Sequence, residues 1–262
     1  MKGLLGADSA VKIPEIEQQR RPGQSIPPGL LPFDGRRALA YLDNLISFQL
    51  DFRISNERIH PQDRVAVEIL SRLRKAAADD FEFDSVITQT PLDTGTPSRA
   101  SMKFIRTGEG LFMKLADAPW WRYPPDDRIR VERYLDTQLL EEVLVSLGLA
   151  GQFRESKDTY LERRVTRYRV ERKPGELPPH MAALNPASLE LGAQIMIDDT
   201  TGMMLGFDFL MNARFATNPE GTTVETLSMK LDVRDIGNIS EIQSPASYVE
   251  GPKFGTPEGR PR

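Results

Sequence analysis

Apolar side chains recur every three or four positions in three stretches of the chain, which is the spacing of one face of an α-helix. This pattern predicts helices over residues 36–47, 61–78 and 126–147. Asp34 is placed to cap the first helix, and Gly148 is placed to end the third. The segment from Phe48 to Asn56 alternates loosely, so the sequence leaves it open as a short strand or as a continuation of the first helix.

Elsewhere apolar and polar side chains alternate, which is typical of strands with one buried face. The alternation predicts strands over residues 81–90, 100–106, 111–116, 161–172, 191–198, 203–217 and 222–233. Two glycines in the connection Thr107-Gly108-Glu109-Gly110 predict a hairpin. Because short turns join antiparallel strands and the helices are grouped apart from them, the predicted fold class is α+β with an antiparallel sheet.

A sheet with one apolar face must bury that face, and this chain has few helices to cover it. We therefore expect a strongly curved antiparallel sheet, an incomplete β-barrel that wraps a few helices. Residues 1–33 are predicted to be a flexible tether, because five prolines in residues 12–32 disfavour helix and sheet. Residues 34–247 form the predicted single domain. Residues 248–262, rich in proline and glycine, are predicted to be a disordered tail.

The order of these elements over residues 60–245 resembles a known group of envelope proteins. The segments that carry the resemblance are the helix at 61–78, the hairpin MKFIRTGEGLFMKL, the loop with two tryptophans, the helix at 126–147, and the strands RRVTRYRVE, QIMIDDTTGMMLGFDFLMNARF and LDVRDIGNISEIQSP. The group is that of the LolA/LolB/LppX-like periplasmic lipoprotein carriers and outer-membrane lipoproteins. The resemblance implies an incomplete barrel around a helical plug, an acyl chain between them, and a role in binding lipid or handling lipoproteins.

Methionine and aromatic side chains are concentrated on one face of the predicted strands near the end of the chain. Six of the nine methionines lie in residues 181–229, and methionine adapts well to irregular apolar partners. The sequence therefore names as candidate residues of an apolar ligand cavity Met203, Leu205, Phe207, Phe209, Met211, Phe215, Leu227 and Met229. Ordinary packing of the sheet beneath a helix explains the same pattern, so both interpretations stay open.

Trp120 and Trp121 are the only tryptophans, and they lie side by side in a loop bounded by prolines. In an extended segment neighbouring side chains point in opposite directions. One tryptophan can then enter the core while the other lies at a cavity mouth or interface, where tryptophan is common. We add both to the cavity candidates, with local packing of both as the alternative.

The predicted strand over residues 161–172 carries arginines on both faces. Arg163, Arg167 and Arg169 share one face, and Arg164 and Arg172 share the other. Long basic side chains protect exposed sheet edges, so this pattern favours a solvated strand at or near an edge. Binding to an anionic lipid or an acidic partner is the alternative.

Composition narrows the chemistry. The chain has no cysteine and only two histidines, His60 and His180, so disulfides, thiolate metal sites and cysteine nucleophiles are excluded. No catalytic signature is present, and we expect a non-enzymatic protein without a cofactor or a metal site. The net charge of −4 disfavours a nucleic-acid partner. No apolar run approaches the roughly 18 residues of a membrane span.

Two non-enzymatic functions follow from the sequence. The first is a cell-envelope protein that binds a lipid or the acyl chain of a lipoprotein in an apolar cavity. The second is a structural or interaction subunit of an envelope-associated complex without a ligand, with partner proteins bound through residues 1–33. We expect a periplasmic or outer-membrane-anchored location, with an export signal that lies outside this sequence; a cytoplasmic location is the alternative.

Overall fold

A computed structural model describes residues 26–40, 45–60, 63–76, 80–123, 137–172, 186–217 and 221–251. Two helices lie in this part of the chain, α1 (Gly35–Leu39) and α2 (Thr137–Ala150). The strands are β1 (Phe48–His60), β2 (Asp63–Lys75), β3 (Phe81–Pro91), β4 (Ser98–Thr107), β5 (Gly110–Leu115), β6 (Trp121–Tyr123), β7 (Gly151–Tyr160), β8 (Arg163–Arg172), β9 (Pro186–Asp198), β10 (Met204–Thr217), β11 (Gly221–Arg234) and β12 (Val249–Glu250).

All twelve strands belong to one open sheet in the order β12-β6-β5-β4-β3-β2-β1-β11-β10-β9-β8-β7. Every neighbouring pair is antiparallel except β12 and β6, which are parallel. The central pairing of β1 with β11 joins residues far apart in sequence, and hairpins build the two halves outward from it. The predicted antiparallel sheet is confirmed, whereas a sheet that wraps its helices stays a prediction.

The structure corrects the predicted helix over residues 61–78. Residues 63–75 form β2, which is paired along its whole length with β1 and β3. Val65, Ile69 and Leu73 are four positions apart, and positions four apart share a face of a strand as well as a face of a helix. The spacing therefore could not decide between the two structures. Residues 61–62 and 77–79 lie outside the described residues.

The predicted helix over residues 36–47 is much shorter in the structure. Asp34 caps it as expected, with its carboxylate accepting hydrogen bonds from the backbone amides of Arg36 at 3.0 Å and Arg37 at 3.2 Å. Helix α1 ends at Leu39, and β1 already begins at Phe48. The loosely alternating segment from Phe48 is therefore a strand.

Helix α2 overlaps the third predicted helix but continues past its predicted end, through Gly148 to Ala150. Gly148 therefore does not end it. A Cβ at this position would stand 2.5 Å from Cγ and 2.9 Å from the carbonyl oxygen of Leu30. The glycine instead allows the chain before α1 to cross the helix at close range. Residues 124–136, where the predicted helix begins, lie outside the described residues.

The two faces of the sheet differ in chemistry. One face, which we call the inner face, carries the main hydrophobic core, with fully buried Phe48, Leu50, Phe83, Ile195 and Phe207. Helix α2 contacts β7 and β8 and also α1. The other face, the outer face, carries cross-strand ion pairs: Arg53–Glu68, Arg72–Asp51, Arg74–Glu82, Lys103–Asp84 and Arg167–Asp158. This division explains the period-two pattern of the sequence.

A smaller hydrophobic cluster covers the outer face near β6. Ile105 of β4 and Phe112 of β5 pack there with Ile239 and Ile242 from the chain after β11. The same segment continues to Tyr248, whose ring meets the ring of Phe112 edge-on at 5.2 Å. It then pairs with β6 as β12, so the sheet extends past the predicted domain boundary at residue 247.

The packed body also begins before the predicted boundary at residue 34. Ile26 and Leu31 are each only 7% exposed and belong to the main core. The ring of Phe33 lies 5.2 Å from that of Tyr168 in β8. Residues 26–33 therefore belong to the folded body rather than to a tether, because their apolar side chains fill the space between α1, α2 and β8. Residues 1–25 lie outside the described residues.

Among the described residues, no helix is long and apolar enough to cross a membrane.

Candidate functional site

One row of side chains crosses the inner face from β4 to β8 and shows how unevenly that face is covered. The pairing register places side by side Ala100, Ile87, Ile69, Ile54, Met229, Phe209, Ala193 and Val170. From Ile54 onward the exposure is at most 8%. In the other direction it rises, and Ile87 is 38% exposed. Along this row the inner face is thus closed over β1 and β8–β11 and open over β2–β4, whereas Leu73 and Phe83 elsewhere on β2 and β3 are buried.

The open part of the inner face is apolar. It consists of Ile69, Ile87, Met102 and Leu115, and we call these four residues the open patch. Ile69 faces Ile87 directly, and Met102 faces Leu115. Leu115 is 47% exposed, while Ile69 and Met102 are partly buried and pack against the main core. The open patch is therefore continuous with the core and accessible from outside it.

The patch borders a pair of buried hydroxyl groups. Ser71 of β2 and Ser85 of β3 face each other on the inner face, 9% and 7% exposed. Their oxygens are 2.9 Å apart and hydrogen-bonded. A hydrogen bond removes most of the cost of burying two hydroxyls beneath apolar side chains.

Polar side chains, His60 among them, occupy the inner face at the ends of β1 and β11 that lie beyond Ile54 and Met229. Asn56 and Arg58 continue the inward alternation of β1, and Thr223 and Glu225 continue that of β11; we call these four residues the polar cluster. The amide nitrogen of Asn56 donates a hydrogen bond of 3.2 Å to the Glu225 carboxylate. Arg58 faces Glu225 across the two strands and is exposed. The polar cluster thus brings both signs of charge to the open end of an apolar surface.

The cavity candidates from β10 and β11 are placed in the main core. Met203, Leu205, Phe207, Phe209 and Met229 are each at most 2% exposed, and Met211 is 7% exposed. Leu227 is partly buried against the same core. Phe215 lies in β10, but its side chain is outside the described residues. Their role in ligand binding stays a prediction, since in this structure they pack against protein.

The two tryptophans point to opposite faces of the sheet. Trp121 packs against the main core on the inner face, while Trp120 packs against the smaller cluster on the outer face. Both are partly buried. The expectation of opposite directions agrees with these contacts. Trp121 faces Met113 across β5 and β6, one strand away from the open patch.

The described cavities do not involve the predicted residues. One of about 380 Å³ lies on the outer face around Gly192 and Leu210. A second, of about 510 Å³, is lined by residues 26–36. A third, of about 550 Å³, lies between residues 29–32 and the start of β7. None of these three contains a member of the predicted set, and the open patch is a surface rather than an enclosed pocket.

The strand of arginines is β8, and it lies near the sheet edge as predicted, with one further strand, β7, outside it. Strand β7, residues 151–160, pairs with β8 and forms the edge of the sheet. Its polar sequence shows no clear alternation, so the sequence does not predict this strand. The β8 arginines meet acidic neighbours: Arg163 binds the buried Asp198, and Arg167 binds Asp158 of β7. These contacts give both arginines a structural role.

The ionisable groups with shifted pKa values include Tyr123, Tyr168 and Asp198. Burial raises the pKa values of Tyr123 and Tyr168. Burial alone would raise the pKa of Asp198, but hydrogen bonds from Arg163 and from the backbone amides of Thr201 and Thr200 outweigh it and lower that pKa. Within the described residues, no group of three or more acidic or histidine side chains is arranged to hold a metal ion.

No protein-family model matches the chain, and no curated protein matches it. Similar solved structures include a lipovitellin, described with its lipid–protein interactions, with a TM-score of 0.35 and 8% identity over 78% of this chain. The match spans only 26% of the lipovitellin chain. Another is a DUF1329 family protein from Desulfovibrio piger ATCC 29098, with a TM-score of 0.21 and 10% identity, covering 75% of this chain and 88% of that one. At these TM-scores the likeness does not establish a shared fold.

Proposed function

We propose that the protein is a non-enzymatic binder of an acyl chain, from a lipid or an acylated protein, and that the chain lies on the open patch. The supporting observation is the row that is buried over β8–β11 and exposed over β2–β4, including Ile87 at 38%. Large apolar side chains left open beside a continuous core are typical of an interaction site. The proposal agrees with the lipid-handling role implied by the resemblance to LolA/LolB/LppX-like proteins.

The site differs from the one suggested by the sequence. The buried phenylalanines and methionines of β10 and β11 would act as the floor of the core, and the exposed residues of β2–β5 would touch the ligand. Each methylene removed from water contributes about 0.8 kcal/mol. Affinity should therefore rise with chain length until the alkyl chain extends beyond the apolar surface.

A series of saturated fatty acids of increasing length tests the proposal, with binding measured by displacement of a fluorescent fatty acid. In the variant Ile87→Ser the affinity should fall about tenfold, since a buried aliphatic contact of one to two kcal/mol is lost. Leu70→Ser is the matched control, because Leu70 is 43% exposed on the outer face of the neighbouring strand. It should bind as the wild type does.

Two outcomes would contradict the proposal. One is that the wild type binds no fatty acid at any length. The other is that Ile87→Ser and Leu70→Ser change the affinity equally, which would show that the fatty acid does not bind specifically to the inner face. Self-association of the wild type that Ile87→Ser abolishes, without fatty-acid binding, would instead favour the interaction subunit expected as the alternative from the sequence.

We place the protein in the cell envelope as part of the same proposal. Its support is the sequence before residue 26, which contains Pro14 and Pro22 and few core-forming residues, as expected of an extended connection to an anchor. Fractionation of cells that express the natural gene from its own start is the test. Recovery in the cytoplasmic fraction would overturn this location and would leave the acyl-chain site unaffected.

A further inference from the structure

The polar cluster contains hydrogen-bonding groups that the described residues do not satisfy. Thr223 is 4% exposed. Within the part of the chain that the structure describes, its hydroxyl oxygen has no partner, and neither does the buried side-chain amide oxygen (Oδ1) of Asn56. Buried polar groups in folded proteins are nearly always hydrogen-bonded. Two such groups on one face, beside the open end of an apolar surface, indicate a ligand with a polar part.

The charges of the polar cluster define that polar part. Arg58 and Glu225 face each other across β1 and β11, but no ion pair within the described residues joins them. The Glu225 carboxylate instead accepts the amide of Asn56. Arg58 is therefore available to an anion. Glu225 and the side-chain Oδ1 of Asn56 are suited to a group that carries both positive charge and N–H donors.

The cluster and the open patch are close enough for one amphipathic molecule. Arg58 is four residues from Ile54, which corresponds to about 13 Å along a strand. Ile54 faces Ile69, the first residue of the open patch, directly across β1 and β2. Val67 and Leu227, on the two sides of Asn56, give the face between them an apolar surface.

We propose that the polar cluster is the headgroup site of an aminophospholipid whose acyl chains lie on the open patch. The phosphate would bind Arg58, and the primary ammonium would donate to Glu225 and to the side-chain Oδ1 of Asn56. The hydroxyl of Thr223 would donate to a phosphate oxygen. This proposal rests on the proposed acyl-chain binding and adds the class of lipid.

The experiment compares four short-chain lipids that carry the same acyl chains and remain monomeric in solution. Phosphatidylethanolamine has the phosphate and the N–H donors, and phosphatidylcholine has the phosphate and a positive charge without N–H. Phosphatidylglycerol has the phosphate alone, and diacylglycerol has neither group. Titration calorimetry with the full chain should rank phosphatidylethanolamine first, about tenfold tighter than phosphatidylcholine.

Variants then test which residue binds the phosphate and which binds the ammonium of the headgroup. Arg58→Ala should weaken both phosphatidylethanolamine and phosphatidylglycerol and leave diacylglycerol unchanged. Glu225→Gln should reduce the preference for phosphatidylethanolamine over phosphatidylglycerol by about tenfold. Arg99→Ala and Glu57→Gln are the matched controls, because both residues are exposed on the outer face of β4 and β1. They should not alter the ranking.

Failure of the two proposals can be distinguished. Equal affinity of the wild type for all four lipids would overturn the headgroup site and leave acyl-chain binding standing. An unchanged ranking in both Arg58→Ala and Glu225→Gln would overturn the headgroup site as well. Absence of binding to diacylglycerol and to every phospholipid would overturn the proposed function itself.

Discussion

At Gly148 the sequence pattern predicts the end of a helix, and the structure shows a different role for this glycine. A glycine at the end of an apolar repeat is typical of a helix terminus. In the structure it lies inside α2, because Leu30 crosses the helix at that point. The signal for this contact lies outside the helix, in the apolar residues of the segment that precedes α1.

The variant Gly148→Ala should lower the melting temperature, even though alanine favours a helix over glycine by about 1 kcal/mol. The new Cβ would meet the Leu30 carbonyl oxygen at 2.9 Å, and backbone cannot move aside as a flexible side chain can. Overpacking of this kind costs about 1–3 kcal/mol. Gly192→Ala is the control, because its Cβ would meet nothing within 4 Å. Equal melting temperatures of the two variants would contradict the close contact.

Asp198 stabilises the turn between β9 and β10. Its side chain is 1% exposed, and it accepts hydrogen bonds from the backbone amides of Thr200 at 2.7 Å and Thr201 at 3.0 Å and from Arg163. These bonds hold the folded-state pKa below the ordinary value of 3.8. The stabilisation is therefore fully present above the unfolded-state pKa and is lost as the pH falls through the folded-state pKa.

Asp198→Asn should reduce the free energy of unfolding at about pH 6 by about 1.5–3 kcal/mol, the contribution of a hydrogen bond to a charged group. The same variant should lose less stability than the wild type between about pH 4 and pH 2, because the titrating carboxylate is gone. Urea unfolding at several pH values measures both effects. Asp208→Asn, at an exposed position of β10, is the control. A wild-type pH dependence in Asp198→Asn would show that other carboxylates dominate acid unfolding.

Among elements, the sequence predicts those strands in which apolar side chains recur at every second position with few interruptions. Strands β3, β4, β5 and β8–β11 follow the period of two, and the structure confirms them. The pattern of β2 predicts a helix instead, because Ser71 and Lys75 interrupt its apolar face and leave Val65, Ile69 and Leu73 four positions apart. The pattern of β7 predicts no strand, because its sequence GQFRESKDTY is polar on both sides, as an edge strand can be.

The segment after β11 adds an element that composition alone concealed. The prolines and glycines of residues 248–262 predict disorder, yet Tyr248 packs on Phe112 and lies 5.5 Å beneath the guanidinium of Arg122. The amide of Val249 donates to the Trp120 carbonyl at 2.8 Å, and that of Gly251 donates to the Arg122 carbonyl at 2.7 Å. A short parallel pairing thus holds the edge of the sheet.

A chain that ends at residue 247 should therefore be less stable than one that ends at residue 251. The loss of two backbone hydrogen bonds and one aromatic contact amounts to about 2–4 kcal/mol. Thermal unfolding of both truncations against the full chain measures it, and the fluorescence of Trp120 should shift to longer wavelength in the shorter one. Equal stability of the two truncations would show that β12 contributes nothing to the fold.

At the scale of the whole molecule, the N-terminal boundary of the folded body determines whether a deletion removes core side chains. The sequence predicts that residues 1–33 lie outside the core, but Ile26 and Leu31 are each 7% exposed within it. Removing residues 1–33 should cost about 4–6 kcal/mol, since two large aliphatic side chains leave cavities. Removing residues 1–25 keeps both side chains, and thermal unfolding of the two deletions gives the comparison. Equal melting temperatures would restore the predicted boundary.

The position of the open patch could not be predicted from the sequence, because it depends on how the whole molecule covers the sheet. Ile69 and Met229 occupy the same cross-strand row and the same kind of position in their strands, yet only the former borders open surface. Burial there depends on which strands the rest of the chain covers. The sequence could indicate an apolar face, but not which part of it stays accessible.

The two described ends of the chain leave the molecule on opposite sides of the sheet. Residues 29–32 lie beside the start of β7, and β12 forms the other edge. Eleven strand spacings of about 4.8 Å separate these edges, so the path across the sheet is about 50 Å. The described chain therefore enters the sheet at the β7 edge and leaves it at the β12 edge. Fluorescent labels on Arg154 and Glu250 would measure how far the sheet bends between these two edges.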